Sequence, residues 1–294
     1  MMKVKSDKIT CSICAGSDTK LLDNSLYSLY FCQVCKNGFV YPQPKNMEKY
    51  YPALYWQYQG IFSNLRKWLH RSFQKKRVSY FKGYLSKGEI LDVGSGEGIF
   101  GKLLGSDFKV TNLEYPGAKI DSKDIIKADF LSWDPHQKFD GIVFLESLEH
   151  VNNPQEYLEK AAKLLKDGGY IFIEYPRFSC LESKLLGKYW MQRDSPRHLF
   201  HFTDRGIVKI AQGADLKTIA QKGILSYEYS PYCLLVSFMN ILKVKPLNLR
   251  KGLAYNIPIF IFITILSPFT FVIETIFYFV NQSPIGLVVF KKKI

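Results

Sequence analysis

Apolar and polar positions along the middle of the chain fall into blocks whose period changes from strand-like to helix-like. Glu89-Ile-Leu-Asp-Val93 is a short apolar strand that runs into glycines at 94, 96 and 98, after which Ile99, Phe100, Leu103 and Leu104 recur with helical spacing. Lys109-Val-Thr-Asn-Leu-Glu114 predicts another strand, and Phe139-Asp-Gly-Ile-Val-Phe-Leu145 a further one that runs out into a polar bend. A helix is expected over about 155–166, stopped by Asp167-Gly168-Gly169, then a buried strand Tyr170-Ile-Phe-Ile-Glu174 closing at Pro176. Strands alternating with helices in this way predict an α/β fold with a parallel, doubly wound sheet and a ligand at the carboxyl ends of its strands.

Upstream, residues 61–82 have helical period, with Ile61, Phe62, Leu65, Trp68, Leu69 and Phe73 on one face and Arg66, Lys67, Arg71, Lys75 and Lys76 over much of the rest. Such a helix is expected to pack over the ligand cleft, to touch an anionic membrane surface, or both.

The length of 294 residues suggests two units at ~150 residues per domain. A composition of 47% hydrophobic and 22% charged residues excludes disorder and a disulfide-stapled miniprotein. Net charge is +14, a hint of nucleic acid or anionic lipid. Its distribution sharpens that hint. Residues 1–90 carry 15 bases and 5 acids, residues 91–222 carry 18 and 19, and residues 223–294 carry 7 and 2. The middle is neutral and the flanks are basic.

Four of the six cysteines form Cys11-x-x-Cys14 and Cys32-x-x-Cys35. Each pair lets two thiolates from one tight turn reach a single ion, and the intervening loop is long enough to bring both pairs to one tetrahedral zinc. Met-Met-Lys-Val-Lys-Ser-Asp at the N-terminus holds no apolar run, so a reducing cytosol is expected, where disulfides are disfavoured. Four thiolates close the coordination sphere, which makes the zinc structural. Cys180 and Cys233 are expected to be ordinary buried residues.

Gly94, Gly96 and Gly98 have G-x-G-x-G spacing, whereas the dinucleotide fingerprint would need its third glycine at Ile99. In either pattern the backbone must turn sharply and approach a ligand where a Cβ would collide. Glu114, at the end of the following strand, is placed to accept two hydrogen bonds from a ribose diol. The glycine loop resembles motif I of class I S-adenosylmethionine-dependent methyltransferases. Leu148-Glu-His-Val151 matches a segment common in that family, and four motifs fall in family order over residues 83–222.

The resemblance implies a Rossmann-like seven-stranded sheet with S-adenosylmethionine as methyl donor. It implies that Asp92 orients the amino-acid end of that ligand, that Asp129 meets the adenine amino group with Phe130 beside the ring, and that Glu146 completes the cofactor set. The ribbon's Cys-x-x-Cys, its Asn37-Gly-Phe-Val-Tyr-Pro-Gln-Pro44 and its tyrosine-rich exit resemble zinc-ribbon methyltransferases of bacterial polysaccharide and sugar pathways.

Methyl transfer is an in-line displacement, and a hydroxyl acceptor also needs a base with a pKa near neutrality. His70 and His136 are expected in solvent. His150 follows the fourth strand, on the ligand side. Met191-Gln-Arg-Asp-Ser-Pro-Arg-His-Leu-Phe-His-Phe-Thr203 is denser in reactive groups, with Asp194, Arg197, His198 and His201 placed to hold a polar, sugar-bearing acceptor. His198 is the first choice of base, followed by His150, with Asp194 beside them.

Residues 257–280 are long and apolar enough for a membrane span, but Pro268 interrupts the run and Glu274 would be costly in lipid. By family likeness Leu216-Lys-Thr-Ile-Ala220 and Ile285-Gly-Leu-Val-Val-Phe290 are strands six and seven, and one crossing would strand the latter across the membrane. Two short helices, about 258–266 and 269–280, are expected instead, lying in the interface or entering it shallowly, with a protein-buried or dimer-forming helix pair as the alternative.

The expected organisation is a zinc ribbon (1–45), a linker and basic helix (46–82), a methyltransferase core (83–222), a lipophilic insertion (223–283) and a closing strand with a basic tail (284–294). The implied activity is methyl transfer to a lipid-linked sugar or another lipid-associated small acceptor, with the enzyme peripheral on the cytoplasmic membrane face. The rivals are an rRNA or tRNA methyltransferase and a non-catalytic membrane-tethered scaffold. Nucleic acid is disfavoured, because Leu145-Glu-Ser-Leu stands where a base-amino methylase carries an Asn/Asp-Pro-Pro-Tyr-like motif.

Overall fold

Residues 9–51, 63–226, 230–244 and 253–293 are described by the structure, a computed structural model. The chain begins with an antiparallel ribbon of β1 (Thr19–Asp23), β2 (Ser28–Cys32) and β3 (Gly38–Tyr41). Helix α1 (Ser63–Lys82) follows and buries Phe73, Val78 and Phe81, with Gln74 and Arg77 buried among them. Of the expected apolar face, Phe73 is buried and Trp68 is 65% exposed. Ile61 and Phe62 lie outside the described residues.

The core runs β4 (Gly88–Val93), α2 (Ile99–Leu104), β5 (Phe108–Glu114), β6 (Ile125–Lys127), β7 (Phe139–Leu145), α3 (Pro154–Leu164) and β8 (Leu165–Pro176). It continues through α4 (Leu181–Leu186), β9 (Phe200–His201), α5 (Asp204–Ala211), β10 (Leu216–Ile224), α6 (Ser230–Ile241), α7 (Leu253–Phe279) and β11 (Ile285–Lys292). Seven strands form one sheet in the order β6-β5-β4-β7-β8-β11-β10. The first five are parallel, and β11 runs antiparallel to both neighbours. This is the doubly wound α/β sheet expected from the pattern, in the Rossmann-like, seven-stranded form that the resemblance implies.

Strand alternation sorts the core into two layers. Ile90, Val143, Phe172 and Val289 pack with Phe81 and Phe100 on one face. Leu91, Phe144, Ile173 and Val288 pack with Leu158 and Ile207 on the other. Both faces are covered, as a parallel sheet requires. Pro154 opens α3 and Asn153 Oδ1 caps it by accepting from Glu156 N.

Two expected boundaries are corrected. Helix α3 ends at Leu164, ahead of Asp167-Gly168-Gly169, and β8 begins at Leu165, which is fully buried and pairs with Phe139. A core position claims Leu165, and Gly168, with φ +75°, absorbs the irregularity before Tyr170 rejoins the ladder. The apolar run is one helix, α7, that continues through Pro268. Nearby hydroxyls turn back onto its carbonyls, Ser267 Oγ to Ile263 O and Thr270 Oγ1 to Ser267 O, which helps a helix carry the proline.

Helix α7 packs on α6 with inverted polarity. Thr270 and Glu274 are buried, while Ile261, Ile265, Phe269, Val272, Ile276 and Phe279 are exposed along one stripe. The stretch Ile261–Phe279 is long and apolar enough to cross a membrane by length and composition.

The ribbon shares hydrogen bonds with the core. Strand β9 adds to the edge of β3, pairing Phe200 with Phe39 and His201 with Gly38, so residues far apart in sequence complete a four-stranded sheet.

Candidate active site

A cleft of about 980 Å³ opens at the carboxyl ends of β4, β5 and β7. Its remaining walls come from α1, the chain around Met47 and Tyr51, and the segment after β7. The glycine loop forms one edge. A Cβ on Gly94 (φ +77°) would meet Ser147 Cβ at 2.5 Å, whereas one on Gly96 (φ +55°) would point into open space in the cleft. The loop is therefore tight against the protein on one side and bare toward the cleft on the other. Glu114 fastens it from the next strand, its Oε2 accepting from Gly96 N at 2.7 Å and its Oε1 from Tyr115 N at 2.9 Å. Burial pushes the Glu114 carboxyl up.

Asp92, at the end of β4, is buried with both oxygens lacking a hydrogen-bond partner among the described residues. Burial, with Glu114 nearby, pushes it up to about 7 against the opposing pull of Arg77. Gln74 Oε1, Ser95 Oγ and Glu146 Oε1 are also buried, line the cleft and have no partner among the described residues. Unsatisfied buried acceptors are costly. A ligand carrying an ammonium and a sulfonium suits this set, so the residues fit S-adenosylmethionine. Asp129 lines the opposite end, where its Oδ2 accepts from Ser132 N at 3.0 Å. Phe130 is buried beside it against Tyr157, ring centroids 5.0 Å apart.

On the far side, Glu146 sits at φ +56°, a left-handed conformation that strains a non-glycine residue by about 1–3 kcal/mol and clusters at functional sites. Burial and its acidic neighbours Glu149 and Glu174 hold its carboxyl well above the usual range. His150 Nδ1 lies 2.9 Å from Arg197 O and 3.1 Å from Tyr51 Oη. The carbonyl assigns the proton to Nδ1 and leaves Nε2 as acceptor, 3.9 Å from Glu149 Oε1. Burial, then His198, pushes His150 down to about 3, and burial pushes Glu149 up to about 8. The neutral imidazole is thus the resting form.

The structure does not bring His198 or Asp194 into the cleft lining. His198 is buried behind His150, rings 4.8 Å apart, with Nδ1 2.8 Å from Gln192 O. The antiparallel addition of β9 to the ribbon turns this segment inward. Asp194 pairs with Arg197 at 2.6 Å. His201 is buried with neither ring nitrogen partnered among the described residues. Glu149, His150 and His198 bring three donor atoms within 4.8 Å of one another, a set able to hold a cation.

Sequence reading missed Gln74, Arg77, Glu149 and Tyr51, and it placed His70 in solvent. His70 is partly buried, lines the cleft and is pushed down to about 4 by burial. The helical spacing of His70, Gln74 and Arg77 was the available signal. Arg77 Nε reaches both oxygens of Glu174, at 3.0 and 2.9 Å. His136 is exposed, and Cys180 and Cys233 are buried.

Cys11, Cys14, Cys32 and Cys35 place four sulfurs within 4.8 Å of one another, with 3.7 Å between Cys11 and Cys35 and 3.6 Å between Cys14 and Cys32. Sulfurs about 2.3 Å from a tetrahedral zinc would be about 3.8 Å apart, so the set fits that ion.

The sheet order, the glycine loop at the end of its first core strand and the acid at the end of the second define a class I S-adenosylmethionine-dependent methyltransferase. A family model for the methyltransferase domain matches residues 60–221, more than half of the chain, and the chain belongs to that family.

Among curated relatives, a ubiquinone biosynthesis O-methyltransferase of Histophilus somni is 26% identical over 214 residues, covering 64% of this chain and 87% of its own. An (S)-coclaurine N-methyltransferase of Papaver somniferum is 27% identical over 101 residues, and the match spans 29% of its length. A solved S-adenosylmethionine-dependent methyltransferase from Archaeoglobus fulgidus superimposes with a TM-score of 0.49 at 15% identity, covering 79% of this chain and all of that one.

Proposed function

We propose that the chain methylates an oxygen of a small, lipid-associated acceptor, such as a lipid-linked sugar, at the cytoplasmic membrane face. The observation that carries this reading is the cleft itself, whose glycine edge and orphaned acceptors face His150 across a space of about 980 Å³. S-adenosylmethionine, when bound, supplies an electrophilic methyl group on a sulfonium. In this reading Glu114 receives the ribose hydroxyls, Asp92 and Glu146 face the cationic amino-acid end, and Asp129 and Phe130 flank the adenine.

On the acceptor side, Arg197 O holds the proton on His150 Nδ1, so Nε2 is the atom placed to accept a hydrogen bond from the acceptor hydroxyl and to orient it, while burial keeps the ring neutral. His198 and Asp194 act through it. His198 packs on the imidazole, and Asp194 holds the Arg197 side chain while its own carbonyl accepts from His198 N at 3.0 Å. The O-methyltransferase among the relatives favours an oxygen acceptor. The exposed stripe of α7 favours one with a lipid part and supports peripheral binding in which the helix lies in one leaflet. Four cysteines around one zinc support a structural role for the ribbon.

The test is to incubate lysate with the enzyme and radiolabelled S-adenosylmethionine and to extract lipid, glycan and RNA separately. Label in the lipid fraction, lost in His150→Ala, is the expected result. Label confined to RNA would overturn the reading.

A further inference from the structure

The second cysteine knuckle and the wall of the cleft are joined by one short stretch of chain, residues 197–203. At its cleft end, Arg197 O accepts from His150 Nδ1 at 2.9 Å, and Leu199 N donates to Glu149 O at 2.9 Å. In its middle, Val40 N donates to Leu199 O at 2.9 Å, and Phe200 and His201 pair with Phe39 and Gly38. At its far end, Thr203 N donates to Asn37 Oδ1 at 3.1 Å and Thr203 Oγ1 donates to Lys36 O at 2.7 Å.

Asn37 belongs to the knuckle, since its carbonyl accepts from Cys32 N at 2.9 Å. It is fully buried and packs against the first turn of α5 so closely that a Cβ on Gly206 would collide with it. Thr203 caps the same helix by accepting from Gly206 N.

We propose that Asn37 and Thr203 are positioning residues through which the second cysteine knuckle sets the register of residues 197–203 and so orients His150 in the cleft wall. The inference rests on the reading of His150 as an acceptor-side residue. The ribbon is then part of the cleft's construction, and order at the zinc site is carried to the imidazole by this chain of hydrogen bonds. A group held to a fraction of an ångström by outer hydrogen bonds loses about 10- to 100-fold in function when those bonds go.

The test compares Asn37→Ala and Thr203→Val with Asn37→Asp and Thr203→Ser in the full chain. Asp keeps an acceptor facing the N-terminus of α5, which favours its charge, and Ser keeps the hydroxyl. Zinc is counted by metal analysis, affinity is measured with S-adenosylhomocysteine, and His150 is followed by nitrogen NMR of labelled histidine. Hydrogen exchange is read at Leu199 to His201.

In Asn37→Ala and Thr203→Val, bound zinc and S-adenosylhomocysteine affinity should stay within about twofold of the parent. Exchange at Leu199 to His201 should quicken about tenfold or more, the His150 Nδ1 signal should shift, and label transfer in lysate should fall about tenfold. Asn37→Asp and Thr203→Ser should restore all three. An unchanged His150 signal overturns the proposal, as does a loss of ligand affinity equal to the loss of transfer. If the parent transfers no label, the functional reading fails while exchange and NMR still decide the coupling.

Discussion

Arg77 and Glu174 form a buried, two-pronged ion pair that ties α1 to β8 beside the cleft. Truncating one partner leaves the other charge buried without compensation. Arg77→Met is therefore expected to destabilise the protein by about 3–5 kcal/mol, and Arg77→Met with Glu174→Leu by much less. Urea denaturation of Arg77→Met, Glu174→Leu and the double variant measures this, and a double variant as unstable as the sum of the singles would refute it.

Asp92 is pushed up to about 7 by burial, so near neutrality it is part protonated. A cationic ligand favours its ionised form. Affinity for S-adenosylmethionine should rise as pH climbs through 7 and level off about one unit above, with proton release on binding. Calorimetry in buffers of different ionisation enthalpy reads the proton count directly. Asp92→Asn should abolish the pH dependence and weaken binding.

Glu114 spends both oxygens on the glycine loop and its own strand end while facing the cleft. Glu114→Ala removes charge-assisted hydrogen bonds of about 1.5–3 kcal/mol. Affinity for S-adenosylhomocysteine in calorimetry should fall about 10- to 100-fold, and the thermal midpoint should drop as the loop and strand-end hydrogen bonds are lost.

His150 and His70 are pushed down to about 3 and about 4 by burial. Each binds its proton more weakly in the folded than in the unfolded chain, so their neutral forms favour folding at and above the unfolded pKa, about 6.5. Stability should fall as pH drops from there toward 4. Thermal melts between pH 7 and pH 4 test this, and His150→Gln should flatten the slope.

The outward stripe of α7 should carry the protein onto anionic vesicles in flotation. Ile265→Glu with Phe269→Glu should leave it in the soluble fraction with S-adenosylhomocysteine affinity intact. Equal flotation of the variant would remove α7 from membrane contact.

The sequence by itself determined the layered core, because Leu91, Phe144 and Ile173 carry a strand period that can be read locally, and the glycines at 94, 96 and 98 mark a turn whose positive φ angles favour glycine. It singled out Cys11, Cys14, Cys32 and Cys35 through their spacing alone, and the fold brings their sulfurs together. Only the tertiary structure decided that Phe200 pairs with Phe39, that His198 stands behind His150, and that His70, Gln74 and Arg77 turn toward the cleft. It also decided that α7 runs on through Pro268 with Glu274 inward. Periodicity tells which residues share a face. What that face meets depends on chain segments more than a hundred residues away, and that choice is made by packing and hydrogen bonding of the whole fold.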